Sequence, residues 1–372
     1  MGDEKDDIQY RKKNNNVTFS YSCLSKTFQR GELGMSDSYL AGDLNFNYNN
    51  CPISSIELYF KGVERIELRE RGRTKTDIYN DRTLTEKYLN IKFEKPVRMN
   101  SHSFIFPLPS NLSSSFNVYD KKNNVGGQID YTLSATVHTT NRLARRDIVE
   151  IICPLKQILF NNHMTYIDVK DTYYDPQGLD PLFRYSFLIP EYLGVGEKIY
   201  IPIKIEFNTT THNTIEIILI KISLKLETQM FFEKDNPLED VKERCCFNKE
   251  KPTKIVDNEL SQKLSLLIPH NLPTTHIGMF VNIRYKLCIS LELTGTNNEF
   301  KREQSVIVAN IKQPNDFSKY HSYQNQNYSE IDNNEIVNNF EESTKTNNEQ
   351  GLNRSYSNSK ASQNSSNKGN QS

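Results

Sequence analysis

Leu108-Pro109-Ser110-Asn111-Leu112, followed by the hydroxyl pair Ser114-Ser115, is answered in the second half of the chain by Ile268-Pro269-His270-Asn271-Leu272 and Thr274-Thr275. Beyond each comes an alternating stretch, Ile129-Asp130-Tyr131-Thr132-Leu133 in the first half and Ile283-Arg284-Tyr285-Lys286-Leu287 in the second. The order is the same twice: strand, proline break, hydroxyl-rich turn, strand with an inward tyrosine. Proline has no N–H to give to a sheet ladder, so its recurrence marks the same strand end in two copies. An internal repeat of this kind predicts two tandem domains of like topology. Their join is expected near residues 160–190, where Tyr173-Tyr174-Asp175-Pro176-Gln177-Gly178-Leu179-Asp180-Pro181 carries turn signals throughout.

Period-2 alternation runs through both halves. Ile129, Tyr131, Leu133, Ala135 and Val137 share one face of a strand, and Asp130, Thr132, Ser134 and Thr136 share the other. Ile199, Ile201, Ile203, Ile205 and Phe207 repeat the pattern, as do Ile218, Ile220, Ile222, Leu224 and Leu226. The last such run is Val281, Ile283, Tyr285, Leu287, Ile289, Leu291 and Leu293. One buried and one wet face is the habit of antiparallel sheets. No long helical stripe competes, so the predicted fold class is all-β: two antiparallel β-sandwich domains of immunoglobulin-like type, plus a tail.

The expected domains are a polar extension at 1–16, a first sandwich at 17–160, a linker and first strand region at 161–195, and a second sandwich at 196–312. From Gln313 to Ser372 the chain has 14 Asn, 11 Ser and 6 Gln in 60 residues, too little apolar surface to offset the entropy of ordering, so this tail is expected to be disordered. A mean hydropathy of −0.67 agrees with an unpacked segment. Lys+Arg 46 balance Asp+Glu 46, which removes the long-range field that a non-specific nucleic-acid binder relies on. Residues 1–16 are charged and do not read as a secretory signal. Thr214 to Leu226 is interrupted by Glu216, Lys221 and Lys225 and cannot span a bilayer. A cytoplasmic chain with reduced thiols is the expectation.

With the repeat in view, the chain resembles the arrestin family, and its α-arrestin (arrestin domain-containing) branch in particular. The first half does so through Leu40-Ala41-Gly42-Asp43-Leu44, Ile56 to Arg65 and Phe104-Ile105-Phe106-Pro107-Leu108-Pro109. The second does so through Leu264-Ser265-Leu266-Leu267-Ile268-Pro269 and the Tyr285 strand. The resemblance implies two sandwiches side by side, no catalysis and no cofactor. It implies an adaptor that links cytoplasmic tails of membrane proteins to a ubiquitin ligase, endocytic coat proteins or signalling machinery. A structural coat subunit of retromer type shares the fold and is the alternative. Two departures matter. Pro-Pro-x-Tyr is absent, Ile189-Pro190-Glu191-Tyr192 being nearest. The loop that carries paired aspartates in visual and β-arrestins is replaced by Pro273 to Phe280, which holds no Asp.

No motif for catalysis, cofactor or metal appears among the residues. None of the seven histidines pairs with another His or Cys at zinc spacing, and His270 and His276 read as exposed loop residues. Gly126-Gly127 reads as a turn before a strand, and Cys245-Cys246 as a neutral position in a charged loop. Arg142-Leu143-Ala144-Arg145-Arg146 reads as a solvated edge strand guarded by charge. Its functional reading is a dock for anionic phospholipid or phosphorylated tails, through Arg142, Arg145 and Arg146.

Overall fold

A computed structural model describes residues 8–22, 25–48, 51–69, 76–122, 124–140, 146–160, 165–174, 181–208, 216–233, 236–294 and 299–312. The Asn-rich tail, the extension up to residue 7, the turn-rich 175–180 stretch, Arg142 and Arg145 lie outside the described residues. Among the described residues there is no helix, and the fold is all-β, consistent with the arrestin β-sandwich.

The first half contributes β1 (Tyr10–Lys12), β2 (Val17–Ser20), β3 (Gln29–Arg30), β4 (Ser38–Phe46) and β5 (Ile53–Arg69). It continues with β6 (Thr76–Val97), β7 (Ser101–Leu108), β8 (Phe116–Asp120), β9 (Val125–Thr139) and β10 (Asp147–Ile152). A six-stranded sheet, ordered β1-β10-β9-β5-β6 with β8 on β9, faces a four-stranded one in which β4 pairs with β2, β3 and β7. Phe60 on the first sheet meets Phe106 on the second with ring centroids 6.4 Å apart.

The second half gives β11 (Ile158–Phe160), β12 (Tyr166–Tyr174), β13 (Pro181–Pro190), β14 (Tyr192–Gly194), β15 (Lys198–Phe207) and β16 (Ile217–Glu233). After these come β17 (Asn236–Glu250), β18 (Glu259–Leu267), β19 (His276–Ile277), β20 (Val281–Leu293) and β21 (Phe300–Lys312). A seven-stranded sheet, β11-β21-β20-β16-β17 with β14 on β21 and β19 on β20, faces the four-stranded β12-β13-β15-β18. Phe183, Tyr185 and Phe187 of β13 pack on Phe300 of β21 at 5.5, 4.9 and 6.3 Å. The stretch 161–195, expected as linker and first strand region, is thus largely strand, paired into the second set of sheets.

The repeat seen in the sequence extends to individual hydrogen bonds. Tyr131 is fully buried and donates to the carbonyl of Ser113 at 2.8 Å; Tyr285, 1% exposed, donates to that of Pro273 at 2.6 Å. Each acceptor lies four residues beyond its proline, Pro109 or Pro269. The Ser115 N–H donates to the Leu155 carbonyl, and the Leu155 N–H returns a bond to Ser115 Oγ. Thr275 and Val308 make the same exchange. A buried hydroxyl left unpaired costs about 1–3 kcal/mol, so each half has met the same demand in the same way.

Two stretches differ from the expected pattern. Ile217 is buried and Ile218 is 54% exposed, the reverse of expectation, because the β16 register slips between Ile217 and Leu219. A one-residue slip moves side chains to the opposite face. Gly126 and Gly127 lie within β9 rather than in a turn. A Cβ on Gly127 would stand 2.7 Å from Val281 Cγ2, so the glycine lets the second sandwich approach the strand.

That contact belongs to the seam where the sandwiches meet. Glu64 of β5 is fully buried, and it is the one charged residue in the buried class among the described residues. Its carboxylate accepts hydrogen bonds from the backbone N–H groups of Met279, Phe280 and Val281 at 3.2, 3.0 and 3.0 Å. His276 Nε2 stands 3.8 Å from Glu64 Oε1, and its ring lies 5.2 Å from that of Phe116. His276 is thus a seam residue with its side chain 10% exposed, not the open loop histidine expected; His270 is exposed as expected.

Burial pushes the Glu64 carboxyl up, but His276 and the N–H groups of Phe280, Val281 and Met279 outweigh it and hold the pKa below the ordinary value. A group with a depressed folded pKa contributes stability that is complete above the ordinary carboxylate range and is lost as pH falls through the folded value. The melting-temperature gap between wild type and E64Q should therefore be widest near neutral pH and narrow below about pH 4. Thermal melts across an acid series check this. A gap that stays constant into the acid range contradicts the assignment.

Candidate functional site

Because Ile220, Ile222 and Leu224 point into the core, Lys221, Ser223 and Lys225 point out from β16. Strand pairing then aligns outward side chains across four strands. Lys249, Lys221, Ser290 and Lys301 form one row; Phe247, Ser223, Cys288 and Glu303 form the next; Arg244, Lys225 and Lys286 begin a third. Between the rows lies a cleft of about 220 Å³, lined by Lys221, Lys225, Arg244, Lys249 and Lys301 with Glu299 as the sole lining carboxylate. Ser223, Cys288 and Ser290, all buried, make its floor.

Like charges directly opposite one another destabilise a sheet by roughly the amount an opposite pair stabilises it, about 0.2–1 kcal/mol. Lys221 nevertheless faces Lys249, and Lys225 faces both Arg244 and Lys286. Part of this charge is answered locally. Lys225 and Lys301 both reach Glu303, at 2.6 and 2.7 Å, and hold its carboxyl down at about 2. Lys221 meets Glu292 and Glu299, and Lys286 lies 2.9 Å from Glu227. Arg244 and Lys249 have no ion-pair partner among the described residues. Instead they flank the ring of Phe247, at 5.9 and 6.0 Å from its centroid, and Phe247 is itself 59% exposed. Cations set around an exposed aromatic, over a hydroxyl-bearing floor, suit a phosphate or carboxylate ligand.

Cys245 and Cys246 belong to β17, not to a loop. Cys246 faces Leu224, Arg244 faces Lys225, and Cys245 is the extra residue of a bulge. Burial pushes the Cys245 thiol up to about 12, helped by Cys246 and Glu243, and burial also raises Cys246. Such thiols are poor nucleophiles at neutral pH.

Of the three arginines expected to dock anions, Arg146 is exposed and stands in the connection between β9 and β10, which pair with each other. Arg142 and Arg145 fall outside the described residues. Residue order alone shows Lys221 and Lys225 as interruptions of an apolar run, not as members of lysine rows. Their outward phase was visible, but the partners that gather around them come from strands distant in sequence. No group of three or more potential metal ligands occurs among the described residues.

Residues 193–313 match the family model described as arrestin (or S-antigen), C-terminal domain. This stretch is similar to an arrestin C-terminal domain. It holds the lysine rows, the Tyr285 anchor and the turn that receives Glu64. The match supports the arrestin family for the chain, whose proteins are generally non-catalytic. A search of curated proteins returned no match.

Proposed function

We propose that this protein is a non-catalytic, cytoplasmic arrestin-type adaptor of the α-arrestin branch. It engages membrane proteins through their cytoplasmic tails and joins them to ubiquitination, endocytic or signalling machinery. The observation that carries the reading is the outward face of the arrestin C-terminal domain, where like-charged side chains are stacked across strands and an anion is the missing complement. A phosphate-bearing ligand at the membrane surface, on a tail or a lipid headgroup, supplies it. Arg142, Arg145 and Arg146 are a second basic segment of the sequence in the same proposal.

The test is charge reversal at Arg244 and Lys249, both exposed on an edge strand where substitution leaves the core intact. Each charge-assisted contact contributes about 1.5–3 kcal/mol, so R244E/K249E should weaken binding by at least about tenfold. Flotation with anionic vesicles and titration with a phosphorylated peptide, at low and physiological salt, separate the two ligand sources. The melting temperature should hold or rise slightly, because each reversal replaces a like-charged cross-strand pair with an opposite one. Undiminished binding to both probes would refute the cleft. R142E/R145E/R146E in the same assays gives the share of the arginine segment.

A further inference from the structure

Glu64 presents a problem that the adaptor reading leaves unanswered. A carboxylate removed from water is costly unless it is paired and hydrogen-bonded, yet no Lys or Arg forms an ion pair with it among the described residues. Its compensation comes from three consecutive main-chain N–H groups of the other sandwich, Met279 donating to Oε2 and Phe280 and Val281 to Oε1. Successive N–H groups converging in this way make a concave anion site.

The turn that carries them is braced by its own bonds. The Gly278 N–H donates to the Val281 carbonyl at 3.1 Å and to Asn282 Oδ1 at 3.2 Å, while the Phe280 carbonyl accepts from Phe231 at 2.8 Å. The donors are therefore organised by the second sandwich, not by Glu64. A Cβ at Gly278 would fall 2.1 Å from Glu64 Oε1, so the absent side chain is what lets the carboxylate reach the donors. His276 Nε2, buried and without a hydrogen-bond partner, lies at the same point.

We propose that the Gly278–Val281 turn is an anion-binding nest for a carboxylate, that Glu64 is its built-in occupant, and that the pair latches the two sandwiches together. The nest belongs to one sandwich and the occupant to the other, so filling it from within and parting the seam are mutually exclusive. An Asp or Glu side chain of an acidic partner meets these donors only when Glu64 has left them.

Chemical rescue tests this in the full chain. E64A leaves a carboxylate-sized space beside three intact donors, and formate is small enough to fill it. The melting temperature of E64A should fall by several degrees and rise again with added formate. The recovery should saturate, as one-site binding to the folded state requires, and should exceed the response of the wild type. Sodium chloride at matched ionic strength should not reproduce it. Equal formate responses in both proteins, or a chloride response of the same size, would overturn the proposal. If E64A fails to fold, E64M serves, because its side chain has similar length and offers the three amides no oxygen acceptor. Hydrogen exchange at Met279, Phe280 and Val281 should then quicken about tenfold or more, with β18 amides as the unchanged reference. Unaltered exchange at those three amides would equally overturn it. Neither readout depends on the lysine cleft, so this test can fail while the adaptor reading stands.

Discussion

Tyr285→Asp should unfold the second sandwich. The side chain is 1% exposed on the inward face of β20, between Ile283 and Leu287, with its hydroxyl committed to the Pro273 carbonyl. Substitution removes about 2–3 kcal/mol of aromatic burial and about 1 kcal/mol for the hydroxyl bond. It then leaves a carboxylate with no cation opposite it, which costs several kcal/mol more or forces uptake of a proton. The sum approaches the whole stability of an ordinary domain, about 5–15 kcal/mol. Loss of slow amide exchange across β16, β20 and β21 would register the change, while β5 and β9 report the first sandwich separately. Retained protection in β20 would mean that the inward face has been misassigned.

Gly278→Ala should be the next most damaging small change, although it adds one methyl group. The new Cβ would stand 2.1 Å from Glu64 Oε1 and 2.5 Å from His276 Nε2. Both obstacles are side-chain ends, and in an open site they would swing away cheaply. Here the carboxylate is fully buried and fixed by three hydrogen bonds, so moving it strands a charge, at about 3–5 kcal/mol by analogy with a broken buried pair. A double-mutant cycle isolates this cause. In an E64A background the carboxylate is gone and only the end of the His276 side chain must swing aside, so Gly278→Ala should then cost below about 1 kcal/mol. Urea midpoints of the four proteins give the coupling. Additive losses would place the strain in the backbone of the turn instead.

Much of this fold could be read from residue order because strand burial has a period of two and the repeat doubled every signal. The inward residues of Val281 to Leu293 and of Ile129 to Val137 are all buried as the alternation requires, although Asn282, Cys288 and Ser290 on the opposite phase of the later strand are buried too. Reading failed where the period was broken or where neighbours came from afar. Ile218 turned outward through a bulge that no local residue announces. Gly126-Gly127 has the composition of a turn, and only the approach of Val281 explains its place inside a strand. Glu64 did leave a trace: it continues the inward series Ile56, Leu58, Phe60 and Gly62 toward Ile66, a charge standing at an apolar position. Its partners are backbone groups more than two hundred residues later, and main-chain donors have no signature in side-chain order.

The last strand also sets a schedule. β11 and β14, at residues 158–160 and 192–194, lie parallel to β21 and pair with Ile307 to Lys312. Parallel neighbours need long connections, and pairings so distant along the chain are slow to form. As the polypeptide leaves the ribosome, the strands of the first sandwich are all available once Ile152 has emerged. Those two later segments, however, must wait for more than a hundred further residues. During that interval Glu64 faces water and the turn that will receive it has not been made. The nascent chain thus passes through a stage with one sandwich assembled and its seam unoccupied, when a chaperone is most useful and a truncation before β21 most harmful.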